Sequence, residues 1–162
     1  MAKGLPLDKE EVLKAMVSSS TIPYLDGTGE YMEKGYVALD HNGSAASLTL
    51  EYAYDDWTIY HTALLAGNRS VADTYKKRAV NYENVFDTNI GYARPRYADG
   101  RWKENFNLLS THGEGFIEGN ALNYSFYVPQ DVNNMIRLMG GEKSFVSKLD
   151  SLFTMHLPAE FF

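Results

Sequence analysis

The 162-residue sequence contains no cysteine, no long apolar run and no excess of positive charge. Without cysteine there is no disulfide and no metal site built on thiolates. Because no run approaches the roughly 18 apolar residues of a transmembrane helix, a membrane partner is not expected. The formal net charge of -6 argues against a phosphate-binding surface, so a nucleic-acid partner is not expected either.

The residues that are present are typical of a globular domain. Hydrophobic residues make up 44% of the chain and charged residues 22%, which is enough to build a sizeable core. We therefore expect residues 1–162 to form a single unit. Aromatic residues are 14% of the chain, and twelve of them are tyrosines, whose flat rings and hydroxyl tips suit sugars. Packing of aromatic rings between helices explains the same composition equally well.

The spacing of apolar residues predicts an all-α fold. Asp8 is a suitable N-cap for a first helix, and Gly67 lies where a long central helix should stop. Because the helices follow one another closely, we expect antiparallel pairs. The predicted helices cover residues 8–18, 44–65, 71–86, 120–127, 130–139 and 143–153, with a short helical turn at 31–37.

Residues 87–115 interrupt the helical pattern with several glycines and a proline. Within them, residues 92–102 fit either a hairpin or an irregular loop. A loop of this length inside a domain is typical of a functional segment, so we expect it to lie over a site. The chain ends at 158–162 with two aromatic residues and no helix cap, and we interpret this as a cut within a larger domain.

Glu118 is the first candidate for catalysis, because it lies among apolar and aromatic residues at the glycine-flanked start of a predicted helix. Burial would raise its pKa and a helix N-terminus would lower it, so the sequence leaves the sign open. A protonated glutamate beside a glycosidic oxygen is what general-acid catalysis of sugar transfer requires. The alternative is a structural glutamate that binds backbone amides.

Asp56 and Trp57 form the second candidate, a carboxylate for sugar hydroxyls beside a ring for the sugar face. In the alternative, Asp56 pairs with a buried arginine. Arg94 is expected either to pair with Asp55 or Asp56 or to contact substrate, and the alternative is an exposed arginine on a hairpin. The four histidines lack the spacing of a metal site, and we place only His112 near the candidate site.

Five sequence motifs occur together in a fixed order. They are LEYAYDDW at 50–57, ARPR at 93–96 followed by DG at 99–100, GFIEGNA at 115–121, YVPQD at 127–131 and LMGG at 138–141. In this order they resemble the catalytic domain of glycoside hydrolase family 92, over essentially the whole chain. Five ordered motifs are far more specific than any one of them.

The resemblance implies a central portion of an (α/α)6 toroid, and an inverting exo-α-mannosidase that removes terminal mannose with the help of Ca²⁺. The linkage it implies is α-1,2. In this reading Glu118 matches the general acid of the Glu-Gly-Asn motif, and Asn120 is a substrate-binding residue of the same motif. Asp56 and Trp57 match the Asp-Asp-Trp motif of the substrate site, to which we add Arg94 and His112. The family also implies a periplasmic or extracellular location and a mannose-containing glycan as partner.

The sequence departs from the family pattern in two ways. Leu122 and Asn123 stand where many members have Trp-Gln, which bears on linkage specificity. The Trp-Asp-Thr motif and the Asp-rich segment that supplies the general base and the calcium surroundings are both absent from the chain. We therefore expect the isolated chain to be inactive without the remaining parts of the parent enzyme. The alternative function is a non-catalytic helical module that binds carbohydrate or serves as a scaffold.

Overall fold

Helices make up most of the structure, a computed structural model that describes residues 6–156. The all-α prediction is therefore confirmed, whereas the complete toroid stays a prediction. None of the helices in this part of the chain combines the length and hydropathy needed to cross a membrane. The predicted cut at 158–162 lies outside the described residues. The helices are α1 (Lys9–Ser19), α2 (Thr28–Lys34), α3 (Ala45–Leu65), α4 (Arg69–Arg78), α5 (Ala121–Tyr124), α6 (Val132–Leu138) and α7 (Glu142–Thr154).

Local sequence signals set the ends of the first and the longest helix. The Asp8 side chain accepts hydrogen bonds from the backbone amides of Glu10 and Glu11 at 2.8 and 3.1 Å, and so caps α1 as predicted. Helix α3 ends at Leu65, and Gly67 follows with φ of 75°. That left-handed conformation favours glycine and stops the helix where the sequence indicated.

The predicted helix over 71–86 is wrong in its second half. Helix α4 ends at Arg78, and Asn81–Val85 form a 3₁₀ turn. Residues of α4 pack into one hydrophobic cluster, whereas Tyr82 and Val85 pack into another. The tighter turn redirects the chain between the two clusters, and the Asn84 side chain fixes it by donating to the carbonyl oxygen of Gly35 at 3.0 Å.

The segment after the 3₁₀ turn forms a small hairpin. Strand β1 (Phe86–Asp87) pairs antiparallel with β2 (Tyr92–Ala93), and an isolated bridge joins Arg96 to Trp102. Within residues 92–102 the bridge between Arg96 and Trp102 favours the hairpin interpretation over an irregular loop, although the β1–β2 hairpin itself lies mostly before this range. The hairpin is tied to the helices because the backbone amide of Ala93 donates to Ser125 Oγ at 2.7 Å.

Two of the three helices after the hairpin are shorter than their sequence patterns. The predicted helix 120–127 is reduced to the four residues of α5, which Asn120 and Asn123 close with a reciprocal capping box. Helix α6 covers most of 130–139, and Asp131 caps it by accepting from the amide of Asn134. Helix α7 occupies the predicted span 143–153 almost residue for residue.

Helix α3 connects the two larger hydrophobic clusters. Its first half supplies Leu50 and Ala53 to the larger cluster, together with the 3₁₀ turn, the hairpin, α5 and α6. Its second half supplies Ile59 and Ala63 to the smaller one, against α1 and α4. Because both clusters share α3, this helix sets the positions of the loops at its N-terminal end.

Candidate functional site

The segment that leads to Glu118 is fixed to the first turn of α3. The carbonyl oxygen of Gly115 accepts from the backbone amides of Ala46 and Ser47 at 2.9 and 3.2 Å, and the amide of Ile117 donates to Ser47 Oγ at 3.3 Å. First-turn amides have no partner inside their own helix, so they are available for this purpose. Gly115 has φ of 83°, and a Cβ there would lie 2.7 Å from Pro95. Only glycine fits this crossing.

Glu118 is exposed and has φ of 53°, a left-handed conformation that is unusual for a residue with a side chain. Such strain persists only where the neighbouring chain enforces it, and it is concentrated at functional sites. On its C-terminal side, a Cβ on Gly119 would lie 2.8 Å from Asn123 Nδ2. Asn120 caps α5 and also donates to the carbonyl oxygen of Leu109 at 3.0 Å.

The prediction that Glu118 begins a helix is wrong. Helix α5 starts at Ala121, three residues later, and has only four residues. Because a macrodipole needs a longer run of aligned peptides, α5 is not a source of the field that the sequence suggested. The anchored loop, not a helix terminus, holds the backbone of Glu118.

Glu51 and Tyr124 lie beside this loop. The Tyr124 hydroxyl donates to Glu51 Oε1 at 3.1 Å. Burial, followed by the charges of Glu51 and Glu118, raises the pKa of Tyr124 to about 12. The phenol therefore keeps its proton at neutral pH and directs it to Glu51.

An aromatic face continues from this pair along α3. It consists of Tyr54, Trp57, His61 and Tyr127. The Tyr54 and Trp57 rings are stacked with centroids 5.8 Å apart, and the His61 ring meets Trp57 edge-on at 4.3 Å. Tyr127 meets Tyr54 edge-on at 5.8 Å, and all four side chains are at least partly exposed. Such an aromatic surface is suited to a sugar ring.

Asp56 points away from this face and is buried, with 1% of its surface exposed. Arg78 Nε of α4 donates to Oδ2 at 3.0 Å, and Arg78 Nη2 forms an ion pair with Oδ1 at 2.9 Å. Tyr31 of α2 donates to Oδ2 at 2.8 Å. This is the pairing with a buried arginine that the sequence left as the alternative. Both oxygens are engaged inside the protein, so a substrate contact would require the ion pair to open.

Burial raises the pKa of Asp56 to about 6, because desolvation outweighs the opposing effects of Arg78 and Tyr31. Between 3.8, the ordinary value, and about 6, the folded state binds more protons than the unfolded state. The free energy of unfolding should therefore fall as pH rises through this window, by about 3 kcal/mol from this residue. Urea denaturation between pH 4 and pH 7 checks this. The decrease should be absent from Asp56→Asn, and a variant that retains it would contradict the assignment.

Arg94 and His112 take positions that the sequence did not specify. The prediction that Arg94 pairs with Asp55 or Asp56 is wrong: its guanidinium binds the buried Asp87 at 2.9 Å and the carbonyl oxygen of Lys103. The hairpin places Asp87 next to Arg94, which sequence spacing alone does not reveal. His112 is exposed in the loop before Gly115, with Nδ1 3.0 Å from Thr111 Oγ1.

The residues of the described part do not fit a calcium site. No group of three or more His, Cys, Asp or Glu side chains converges anywhere in 6–156. Ca²⁺ takes six to eight oxygen ligands, commonly with several carboxylates. The calcium ion implied by the family resemblance therefore stays an expectation, for which the described residues offer no ligand set.

The structure thus brings some of the predicted residues together and separates others. Glu118 and Asn120 share one loop, and Trp57 belongs to the aromatic face on the neighbouring helix. Asp56 and Arg94 are held in separate buried ion pairs. Glu51 and Tyr124 were not predicted, although Glu51 follows Ser47 by one helical turn and so shares its side of α3.

Comparison with known proteins identifies the family. The profile of the glycosyl hydrolase family 92 catalytic domain matches residues 1–160. The chain belongs to glycoside hydrolase family 92. A curated relative, described as an uncharacterized secreted glycosidase from Arthroderma benhamiae, is 29% identical over 128 residues, which are 65% of this chain and 16% of that protein.

Solved structures agree with this assignment. A family 92 α-mannosidase from Bacteroides thetaiotaomicron is 34% identical with a TM-score of 0.91, over 97% of this chain and 21% of the enzyme. The same enzyme in complex with mannoimidazole is 32% identical with a TM-score of 0.90, over 96% of this chain and 21% of the enzyme. A family 92 inverting mannosidase from the same organism is 30% identical with a TM-score of 0.89, over 99% of this chain and 23% of that enzyme. The present chain therefore spans about a fifth of the length of these enzymes.

Proposed function

We propose that this chain is part of an inverting exo-α-mannosidase that removes terminal α-linked mannose, α-1,2-linked in the first instance, from glycans. The observation that carries the proposal is the exposed, left-handed Glu118 in its anchored loop, at the position of the family's general acid. Support comes from the similar structures, which are described as α-mannosidases and, in one case, as inverting.

In this proposal Glu118 donates a proton to the glycosidic oxygen as the bond to the leaving sugar breaks. An inverting enzyme also needs a second carboxylate to activate water on the opposite face of the ring. We assign that base to a segment outside this chain. Trp57 and its aromatic face, Asn120 and His112 are the candidates for substrate contact. Asp56 and Arg94 are better explained as scaffold residues, because their ion pairs are internal.

Calcium enters the proposal only through the complete domain. The described residues do not fit a calcium site, so we derive no step through the ion. In the complete enzyme it would supply positive charge that binds and orients sugar hydroxyls. This chain's own residues supply the acid and the aromatic surface.

The isolated chain is expected to show no measurable mannosidase activity, because it lacks the general base and the calcium ligands in this proposal. The measurement is mannose release from an α-1,2-mannobioside by the purified 162-residue chain and by the full-length protein that contains it. Turnover by the chain at the rate of the full-length protein would refute the assignment of the base to another segment.

A second experiment tests the substrate class with the full-length protein. Mannose release is compared among α-1,2-, α-1,3- and α-1,6-linked mannobiosides, with and without a calcium chelator, and NMR identifies the anomer formed first. The proposal expects preference for the α-1,2 linkage, loss of activity on chelation and initial release of β-mannose. Initial release of α-mannose would exclude inversion.

The aromatic face favours a second candidate function, a carbohydrate-binding module without catalysis. In that case Glu118 and Trp57 would serve recognition only. Titration of the chain with mannose, together with the activity assays, distinguishes the two functions. Binding that survives Glu118→Gln, with no bond cleavage by the full-length protein, would favour the module.

We also propose a periplasmic or extracellular location for the complete enzyme. The support is the curated relative from Arthroderma benhamiae, which is described as secreted. Fractionation of the source cells, followed by immunodetection of the full-length protein, tests this. Detection confined to the cytoplasm would contradict it.

A further inference from the structure

Two residues outside the motif of the general acid, Glu51 and Tyr124, connect its loop to α3, because Tyr124 contacts the loop and Glu51 binds Tyr124. Glu51 lies on α3 one turn after Ser47, whose Oγ accepts from the amide of Ile117. Glu51 in turn accepts from the Tyr124 hydroxyl at 3.1 Å. Helix α3 therefore binds the region around Glu118 at two successive turns, first through the backbone and then through a tyrosine.

Tyr124 contacts the residues on both sides of Glu118. Its Cδ2 lies 3.0 Å from the place where a Cβ on Gly119 would be, so the ring covers the Gly119 backbone. Its ring centroid is 5.7 Å from that of Phe116. The position of this ring thus limits how the loop can move, and Glu51 fixes the ring through its only polar atom.

The electrostatics agree with a fixed geometry. Glu51 is half-buried, and the raised pKa of Tyr124 keeps the phenol protonated at every pH at which the enzyme would work. The single phenolic proton is directed to Glu51 Oε1. Loss of either partner would release the ring and relax the loop toward the right-handed conformations that a glutamate prefers.

We propose that Glu51 and Tyr124 are positioning residues for Glu118, which hold its backbone in the left-handed conformation and thereby set the rate of proton donation. This inference rests on the proposed role of Glu118 as the acid. Misplacement of a catalytic group by about 1 Å can cost up to a hundredfold in rate, so a relaxed loop should lower kcat. Substrate binding should change little, because neither residue needs to touch the sugar.

The test uses the full-length enzyme with Tyr124→Phe, Glu51→Ala and Glu51→Gln. The first two should each lower kcat by about tenfold with KM within about twofold, and combining them should add little. Glu51→Gln should recover most of the activity, because its amide oxygen still accepts from the tyrosine. Tyr24→Phe, at a tyrosine that is 89% exposed, is the matched control and should behave as wild type.

Three kinetic results would overturn the inference: unchanged kcat in Tyr124→Phe, no recovery in Glu51→Gln, or a rise in KM with kcat preserved, which would make Glu51 a sugar-binding residue. A second measurement does not depend on activity. Hydrogen exchange of the peptide covering 115–120 should accelerate in Tyr124→Phe and Glu51→Ala but not in Glu51→Gln. If wild type releases no mannose, the proposed function fails, and exchange still decides whether the pair fixes the loop.

Discussion

Replacement of Glu118 by glutamine is expected to lower kcat for an unactivated α-mannoside by about a thousandfold, with KM almost unchanged. The amide keeps the size and polarity of the side chain but cannot donate a proton to the leaving oxygen. Because Glu118 is exposed and its loop is anchored through other residues, the fold should be unaffected. The measurement is the initial rate of mannose release from an α-1,2-mannobioside by the full-length enzyme.

An activated substrate separates proton donation from other roles of Glu118. Dinitrophenolate leaves without a proton, so Glu118→Gln should lower kcat for a dinitrophenyl α-mannoside by less than about tenfold. Glu104→Gln, at a side chain that is 76% exposed, is the matched control and should leave both rates unchanged. Equal losses on the two substrates would mean that Glu118 serves binding or folding and is not the acid.

Most of the helical fold was predictable because its signals are local. The cap at Asp8, the stop at Gly67 and the apolar spacing of α3 and α7 lie within a few residues of the features they determine. The break after α4 was not predictable, because the residues on both sides of it continue one helical periodicity. What decides the break is that Tyr75 and Tyr82 are buried in different clusters, which is a property of the whole fold.

The candidate site likewise has parts with local sequence signals, which were predictable, and parts that depend on distant residues, which were not. The motif around Glu118 could be found in the sequence, and the resemblance gave it a role. The partners of Asp56 could not be found in the sequence, because Tyr31 and Arg78 are 25 and 22 residues away and belong to different helices. An aspartate among apolar residues has the same local pattern whether it binds a sugar or an internal arginine. Glu51 and Tyr124, 73 residues apart, were missed for the same reason.

The Asp56–Arg78 pair leads to the largest expected effect on stability. At pH 7 Asp56 is mostly ionised, since its pKa is about 6, and in Arg78→Met its buried carboxyl must bind a proton to avoid an unpaired charge. Removing one member of a buried ion pair costs about 3 to 5 kcal/mol of the free energy of unfolding. Protonation of Asp56 at pH 7 requires only about 1.4 kcal/mol, so the charge accounts for about that part of the loss. The rest comes from the lost contacts of Arg78 with Ser20, Tyr31 and Tyr75. Urea denaturation followed by tryptophan fluorescence measures the change, because Trp57 is adjacent to Asp56.

The dependence of this loss on pH and on the partner identifies its cause. At pH 5 Asp56 is already protonated in most wild-type molecules, so Arg78→Met should cost clearly less than at pH 7. Adding Asp56→Asn to Arg78→Met should restore the part of the loss at pH 7 that the charge accounts for, because no buried charge remains. Lys77→Met, at the exposed neighbouring position of α4, is the matched control and should have little effect. The rings of Tyr75 and Tyr31 lie 4.8 and 5.4 Å from the guanidinium carbon of Arg78. A loss that is equal at both pH values and unaffected by the second substitution would mean that Arg78 stabilises the fold by packing on these rings and not by neutralising Asp56.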